Sequence, residues 1–123
     1  MAKILVIDDQ AHIRTILRAF LENEQHEVDL AEEGKTAMNL IALGSYDLVI
    51  TDVIMQGYDG FEVIKSLKRL HPAVKVIAIT GGGGKADSGE LMDTCKLLGA
   101  DRALPKPLDF AKIQAVVREV LDK

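Results

Sequence analysis

Five short apolar runs, each followed by a more polar segment, constrain this chain more than any other feature. They are KILVI (Lys3 to Ile7), HEVDLA (His26 to Ala31), DLVIT (Asp47 to Thr51), VKVIAIT (Val74 to Thr80) and DRAL (Asp101 to Leu104). After the first run, Ile13, Ile16, Leu17, Phe20 and Leu21 recur at i, i+3, i+4, i+7 and i+8, so one helical stripe faces a core. Phe61, Ile64 and Leu67 repeat the pattern after the third run, and Phe110, Ile113, Val117, Val120 and Leu121 after the fifth. Strand then helix, five times over, implies a parallel sheet, because each crossover returns the chain through a helix packed on one face. The predicted fold is α/β, a (βα)5 doubly wound five-stranded parallel sheet. The first, third and fourth runs are apolar nearly throughout, as central strands covered on both faces are, whereas the second alternates and suits an edge. Gly44 and Gly99 stand where left-handed helix caps are expected, and Pro72 where a helix should stop.

A length of 123 residues suits one domain, and neither a linker nor a repeat divides it. The expectation is a single domain over residues 1–123 with no output domain. A net charge of −4 without a basic stripe argues against direct nucleic-acid binding. The apolar runs are strand-sized, and the start MAKILVIDD lacks the long apolar core of a secretory signal, so a soluble, cytoplasmic protein without membrane contact is expected. Cys95, the sole cysteine, reads as a small core residue, and His12, His26 and His71 as solvated or satisfied structural histidines.

Ligands of an open α/β sheet bind beyond the carboxyl ends of its strands, so the polar residues that stand there carry the chemical information. Asp8 and Asp9 follow the first run, Asp52 follows the third, Thr80 ends the fourth and Lys106 follows the fifth. Neighbouring strands lie about 5 Å apart, which gathers these side chains on one rim. Crowded carboxylates repel one another, and Mg²⁺, a hard cation, relieves that repulsion. A metal, an ammonium and a hydroxyl together suit phosphoryl transfer, with Asp52 as the nucleophile and Asp8 and Asp9 on the metal.

Together these motifs resemble the receiver domain of two-component response regulators, the CheY-like family, over the full length. VIDDQ matches the family's acidic pair, DLVITDVIMQGYDGFEVI the segment around its phosphoacceptor, VIAIT its switch hydroxyl and LPKPL its Lys-Pro. The resemblance implies the flavodoxin-like strand order 2-1-3-4-5 and a phosphoacceptor switch with Mg²⁺ as cofactor. It implies that Asp52 takes a phosphoryl group from a histidine kinase or histidine phosphotransfer protein. Asp9 and Asp52 would ligate the metal directly, Asp8 through water, and Ile54 through its carbonyl. Thr80 and Lys106 would contact the phosphoryl oxygens, and Lys106–Pro107 would be cis. Output would reach a downstream protein target through the surface from Lys85 to Leu121, on a monomer or a weak phosphorylation-dependent dimer. No separate substrate turnover is implied beyond assistance to its own phosphorylation and dephosphorylation.

Three positions depart from the family pattern: Ala103, where an aromatic residue is common, Gln56, where proline is frequent, and a longer segment between Thr80 and Gly99. Ala103 motivates one alternative, a phosphorylation-independent adaptor. The run Gly81 to Gly84 motivates another, a nucleotide- or flavin-binding enzyme of similar fold. The P-loop pattern fails there because Lys85 is followed by Ala86. In the receiver reading the glycines form an unrestrained loop leading into a helix near Asp87 or Ser88, either a tolerated insertion or a hinge for the Thr80 segment.

Overall fold

The computed structural model describes residues 2–53, 60–80 and 88–122. Strands β1 (Lys3–Ile7), β2 (Glu27–Ala31), β3 (Leu48–Asp52), β4 (Lys75–Thr80) and β5 (Arg102–Pro105) alternate with helices α1 (Ala11–Asn23), α2 (Gly34–Leu43), α3 (Gly60–Leu70), α4 (Ser88–Leu98) and α5 (Phe110–Leu121). The strands form one parallel sheet in the order β2-β1-β3-β4-β5. This is the expected doubly wound topology, with the alternating second run at an edge. The strand bounds lie within one residue of the apolar runs. The offset matters once, since Asp52 is the last residue of β3 rather than the first beyond it.

Alternate strand residues feed two cores, as the period of two in a pleated strand requires. Leu5, Ile7, Val49, Val76 and Ala78 pack with Ala37 and Ile41 of α2, with Val63, Ile64 and Leu67 of α3 and with Cys95 of α4. On the opposite face Ile4, Val6, Leu48, Ile50, Ile77 and Ile79 pack with Leu17 and Leu21 of α1 and with Ile113, Val116, Val117 and Val120 of α5. Full burial of each such side chain contributes roughly 1.5–3 kcal/mol, so these two layers dominate the stabilisation. Phe20 and Phe110 add a tilted ring pair between α1 and α5, with centroids 5.1 Å apart. Beside it, Glu24 accepts from Gln114 at 2.7 Å and from Arg118 at 3.0 Å.

The helical stripes differ in detail from the sequence reading. Ile16 is 44% exposed, because the stripe of α1 that meets the sheet is centred on Leu17 and Leu21. Cys95 is a buried core residue as expected, and burial pushes its thiol up to about 11. His26 is half-buried and its Nδ1 accepts the Ala2 N–H at 3.1 Å, a satisfied structural histidine.

Both expected glycines stand at helix ends, but only Gly99 is left-handed; Gly44 caps α2 through its N–H on the Leu40 carbonyl. Gly99 has φ +118°, and Ala100 N–H reaches back to the Cys95 carbonyl to close the helix end. Gly44 is extended, with φ −133° and ψ 178°. The left-handed residue at the end of α1 is instead Gln25, with φ 72°. Gly60 opens α3 so close to β3 that an added Cβ would meet the Asp52 carbonyl and the Val53 backbone, while its N–H donates to the Val53 carbonyl at 3.0 Å. Backbone cannot yield as a flexible side chain would. Gly60→Ala should therefore cost about 1–3 kcal/mol, the usual penalty of overpacking, read as a lowered urea midpoint. An unchanged midpoint would show that the α3 start yields freely.

Candidate functional site

The site is assembled by strand register. Ile7 of β1 pairs with Thr51 of β3, so the next residue on each strand, Asp8 and Asp52, stand side by side at the carboxyl rim. Asp8 and Asp52 are 2% and 3% exposed, and Asp9 lies outward beside them. One carboxylate oxygen from each of the three falls within 4.8 Å of the others. Oxygen ligands in that arrangement fit a hard divalent cation such as Mg²⁺ better than a soft transition metal.

Lys106 enters from the far side of the sheet. Its backbone N–H donates to the Thr80 carbonyl at 2.9 Å, which fixes where its side chain starts. Its ammonium donates to Asp52 Oδ2 at 3.0 Å and lies 3.6 Å from Asp8 Oδ2. Burial alone would lower the Lys106 pKa, but the hydrogen bond to Asp52 and the two carboxylate charges outweigh it and hold the ammonium above its ordinary range. Asp8 moves above the ordinary carboxylate range. Burial raises it, the Gln10 N–H on Oδ1 at 2.8 Å partly offsets that, and the Asp52 charge raises it further. The Lys106–Pro107 peptide is cis, as the resemblance implied.

Thr80, fully buried at the end of β4, donates its hydroxyl to the Leu104 carbonyl of β5 at 3.3 Å. Ala103 pairs with Ala78 and packs against the core on the α4 side. The described residues therefore bring together Asp8, Asp9, Asp52 and Lys106, with Thr80 one strand away at the same rim. The carbonyl of Ile54, Gln56 and the run Gly81 to Gly84 lie outside the described residues. Three contacts escaped the sequence reading. Arg14 donates to the Asp8 carbonyl at 2.8 Å, the buried Thr51 hydroxyl donates to the Asp52 carbonyl at 2.9 Å, and Gly60 abuts that same carbonyl. A hydroxyl inside an apolar strand and a cation in the first turn of a helix are the sequence signals that mark the first two.

A five-stranded doubly wound sheet with an acidic pocket at its carboxyl rim and a lysine against it places the chain in the receiver class of α/β domains. The chain belongs to the response regulator receiver domain family, whose model matches residues 4–118. It is 36% identical over 118 residues to the transcriptional regulatory protein ZraR of Escherichia coli, covering 96% of this chain and 26% of that protein. To the transcriptional regulatory protein ResD of Bacillus subtilis it is 34% identical over 119 residues, 97% of this chain and 48% of that one. The chain thus spans between about a quarter and a half of the length of these relatives, both named as transcriptional regulatory proteins. Among solved structures, the response regulator TrrA of Thermotoga maritima, in complex with Mg²⁺-BeF, superposes with a TM-score of 0.85 at 34% identity, covering 98% of this chain and all of that one. Among the described residues no helix is long and apolar enough to cross a membrane.

The raised Asp8 pKa makes a prediction about stability. A carboxyl whose folded pKa lies above its unfolded value of 3.8 weakens the fold when ionised, and the penalty fades as pH falls toward that value. Asp8→Asn keeps an acceptor for Gln10 N–H and removes the charge. In metal-free buffer it should raise the urea midpoint near neutral pH, with the gain shrinking toward pH 3.8. Equal or lower stability at neutral pH would contradict this account.

Proposed function

We propose that this receiver domain is a phosphoacceptor switch in which Asp52 takes a phosphoryl group from a phosphohistidine on a histidine kinase or phosphotransfer protein. The observation that carries the reading is the pocket itself: a buried carboxylate, bonded to an ammonium at 3.0 Å and flanked by two further acids. In the transfer the phosphorus–nitrogen bond breaks, a phosphorus–oxygen bond forms to an Asp52 carboxylate oxygen, and the departing imidazole takes up a proton. Mg²⁺, held by Asp8, Asp9 and Asp52, would neutralise charge on the phosphoryl oxygens. The Mg²⁺-BeF complex of TrrA supports this choice of cofactor by similarity.

The chain's own groups do the rest. Burial of Asp52 keeps bulk water from its carboxylate and strengthens each electrostatic contact there. Lys106 already touches the accepting carboxylate and follows the added charge onto the phosphoryl oxygens. Thr80 would exchange the Leu104 carbonyl for a phosphoryl oxygen, so strand β5 loses a hydrogen bond when Asp52 is charged. Ala103 has no ring to rotate, and the message would pass through β5 backbone and the helices beside it to a protein target.

Incubation with Mg²⁺ and acetyl phosphate, followed by intact mass measurement, tests the chemistry. The wild type should gain one phosphoryl mass, Asp52→Asn none, and chelation of the metal should abolish the gain. A gain retained by Asp52→Asn would move the acceptor elsewhere.

A further inference from the structure

Every polar handle of Asp8 is engaged. Its N–H donates to the Ala31 carbonyl at 3.1 Å, which extends the β1–β2 ladder by one residue. Its Oδ1 accepts from Gln10 N–H, and its Oδ2 faces Lys106. Its carbonyl has left the strand and accepts at 2.8 Å from the Arg14 guanidinium, a side chain reaching back from α1. That carbonyl belongs to the peptide joining the two acidic residues, and a planar peptide carries the Asp8 carbonyl and the Asp9 N–H as one rigid unit. Whatever holds the carbonyl therefore sets the direction in which Asp9 leaves the strand end.

Arg14 is also poorly placed for any local purpose. It is the fourth residue of α1, where the helix dipole disfavours a cation, and the first turn contains no acidic residue to offset it. Gln10, which caps the helix, makes no side-chain cap hydrogen bond that could fix the turn instead. The guanidinium joins the Asp8 Oδ1–Gln10 N–H bond in restraining the turn that carries both acids, and it acts on the peptide carbonyl itself.

We propose that Arg14 is a positioning residue for the cation site: by pinning the Asp8–Asp9 peptide it presets Asp9 against Asp8 and Asp52 for a divalent ion. This rests on the Mg²⁺ reading above. Two effects of Arg14 on cation binding have opposite signs, which makes the proposal decidable. As a positive charge near the pocket it repels the ion, so its removal should tighten binding. As a clamp it preorganises the ligands, and its removal should loosen binding, as loss of an outer-shell partner generally does.

The measurement is Mg²⁺ titration of the wild type, Arg14→Met and Arg14→Lys, with dissociation constants taken from backbone amide shifts and thermal midpoints recorded without metal. The expectation is about tenfold weaker Mg²⁺ binding in Arg14→Met. Arg14→Lys, which keeps the charge and one donor, should fall between that variant and the wild type. Unchanged or tighter binding in Arg14→Met overturns the proposal, as does a lowered thermal midpoint with an unaltered constant, the mark of a purely structural contact. If Arg14→Met does not fold, a wild-type constant in Arg14→Lys overturns it, because a lysine cannot reproduce the guanidinium's directed bond. A wild type that fails to bind Mg²⁺ sinks the metal reading and this inference together, whereas normal wild-type binding with indifferent variants sinks only the inference.

Discussion

The register between β1 and β3 is the constraint on which the rim depends. With Ile7 opposite Thr51, the residues that follow are two carboxylates at strand spacing. A slip of one residue would turn every inward side chain of one strand to the other face and expel one acid from the pocket. The register is held because both strands are buried on both faces, with Leu5, Ile7 and Val49 locked under α2 and α3, and Val6, Leu48 and Ile50 under α1 and α5. The cores therefore stabilise the domain and also set the distance between two charges.

The same logic extends to β4 and β5. The Val53 N–H donates to the Ile79 carbonyl and the Lys106 N–H to the Thr80 carbonyl, so each strand end is stitched to its neighbour just where a polar side chain departs. Thr80 and Leu104 share a hydrogen bond within that stitching, and Ala78 and Ala103 lie opposite each other beneath it. With small side chains at this pairing, the link between rim and edge strand is made of main chain and the Thr80 hydroxyl.

Much of this was legible in the sequence because strand ends punctuate it. Asp8, Asp9, Asp52, Thr80 and Lys106 each stand at the close of an apolar run, and an open α/β sheet gathers such positions at one rim. The five runs likewise foretold the strands, their parallel pairing and the edge place of β2. What escaped was chemistry directed at main-chain atoms. Arg14 and Thr51 donate to the carbonyls of Asp8 and Asp52, and Gly60 makes room for the second of these; Arg14 and Gly60 lie in helices, and Thr51, though it closes the third run, is directed at main chain. A side chain's reach to a carbonyl depends on where two elements cross, which periodicity does not encode. Helix ends were misread for a related reason. Gln25 takes the left-handed turn that a glycine would signal, and Gly44, which carries the signal, is extended because the chain leaves α2 directly toward β3.

Lys106 carries a consequence beyond its part in the pocket. Because its ammonium sits between Asp52 and Asp8, the acids have a covalently attached counter-ion whether or not a free one is bound. Many small metalloproteins fold only around their ion, and chelation unfolds them. Here the resident cation offsets part of the repulsion among the acids that an ion would otherwise have to relieve. A divalent ion held there as proposed would enter and leave a pocket that already contains a counter-ion of its own.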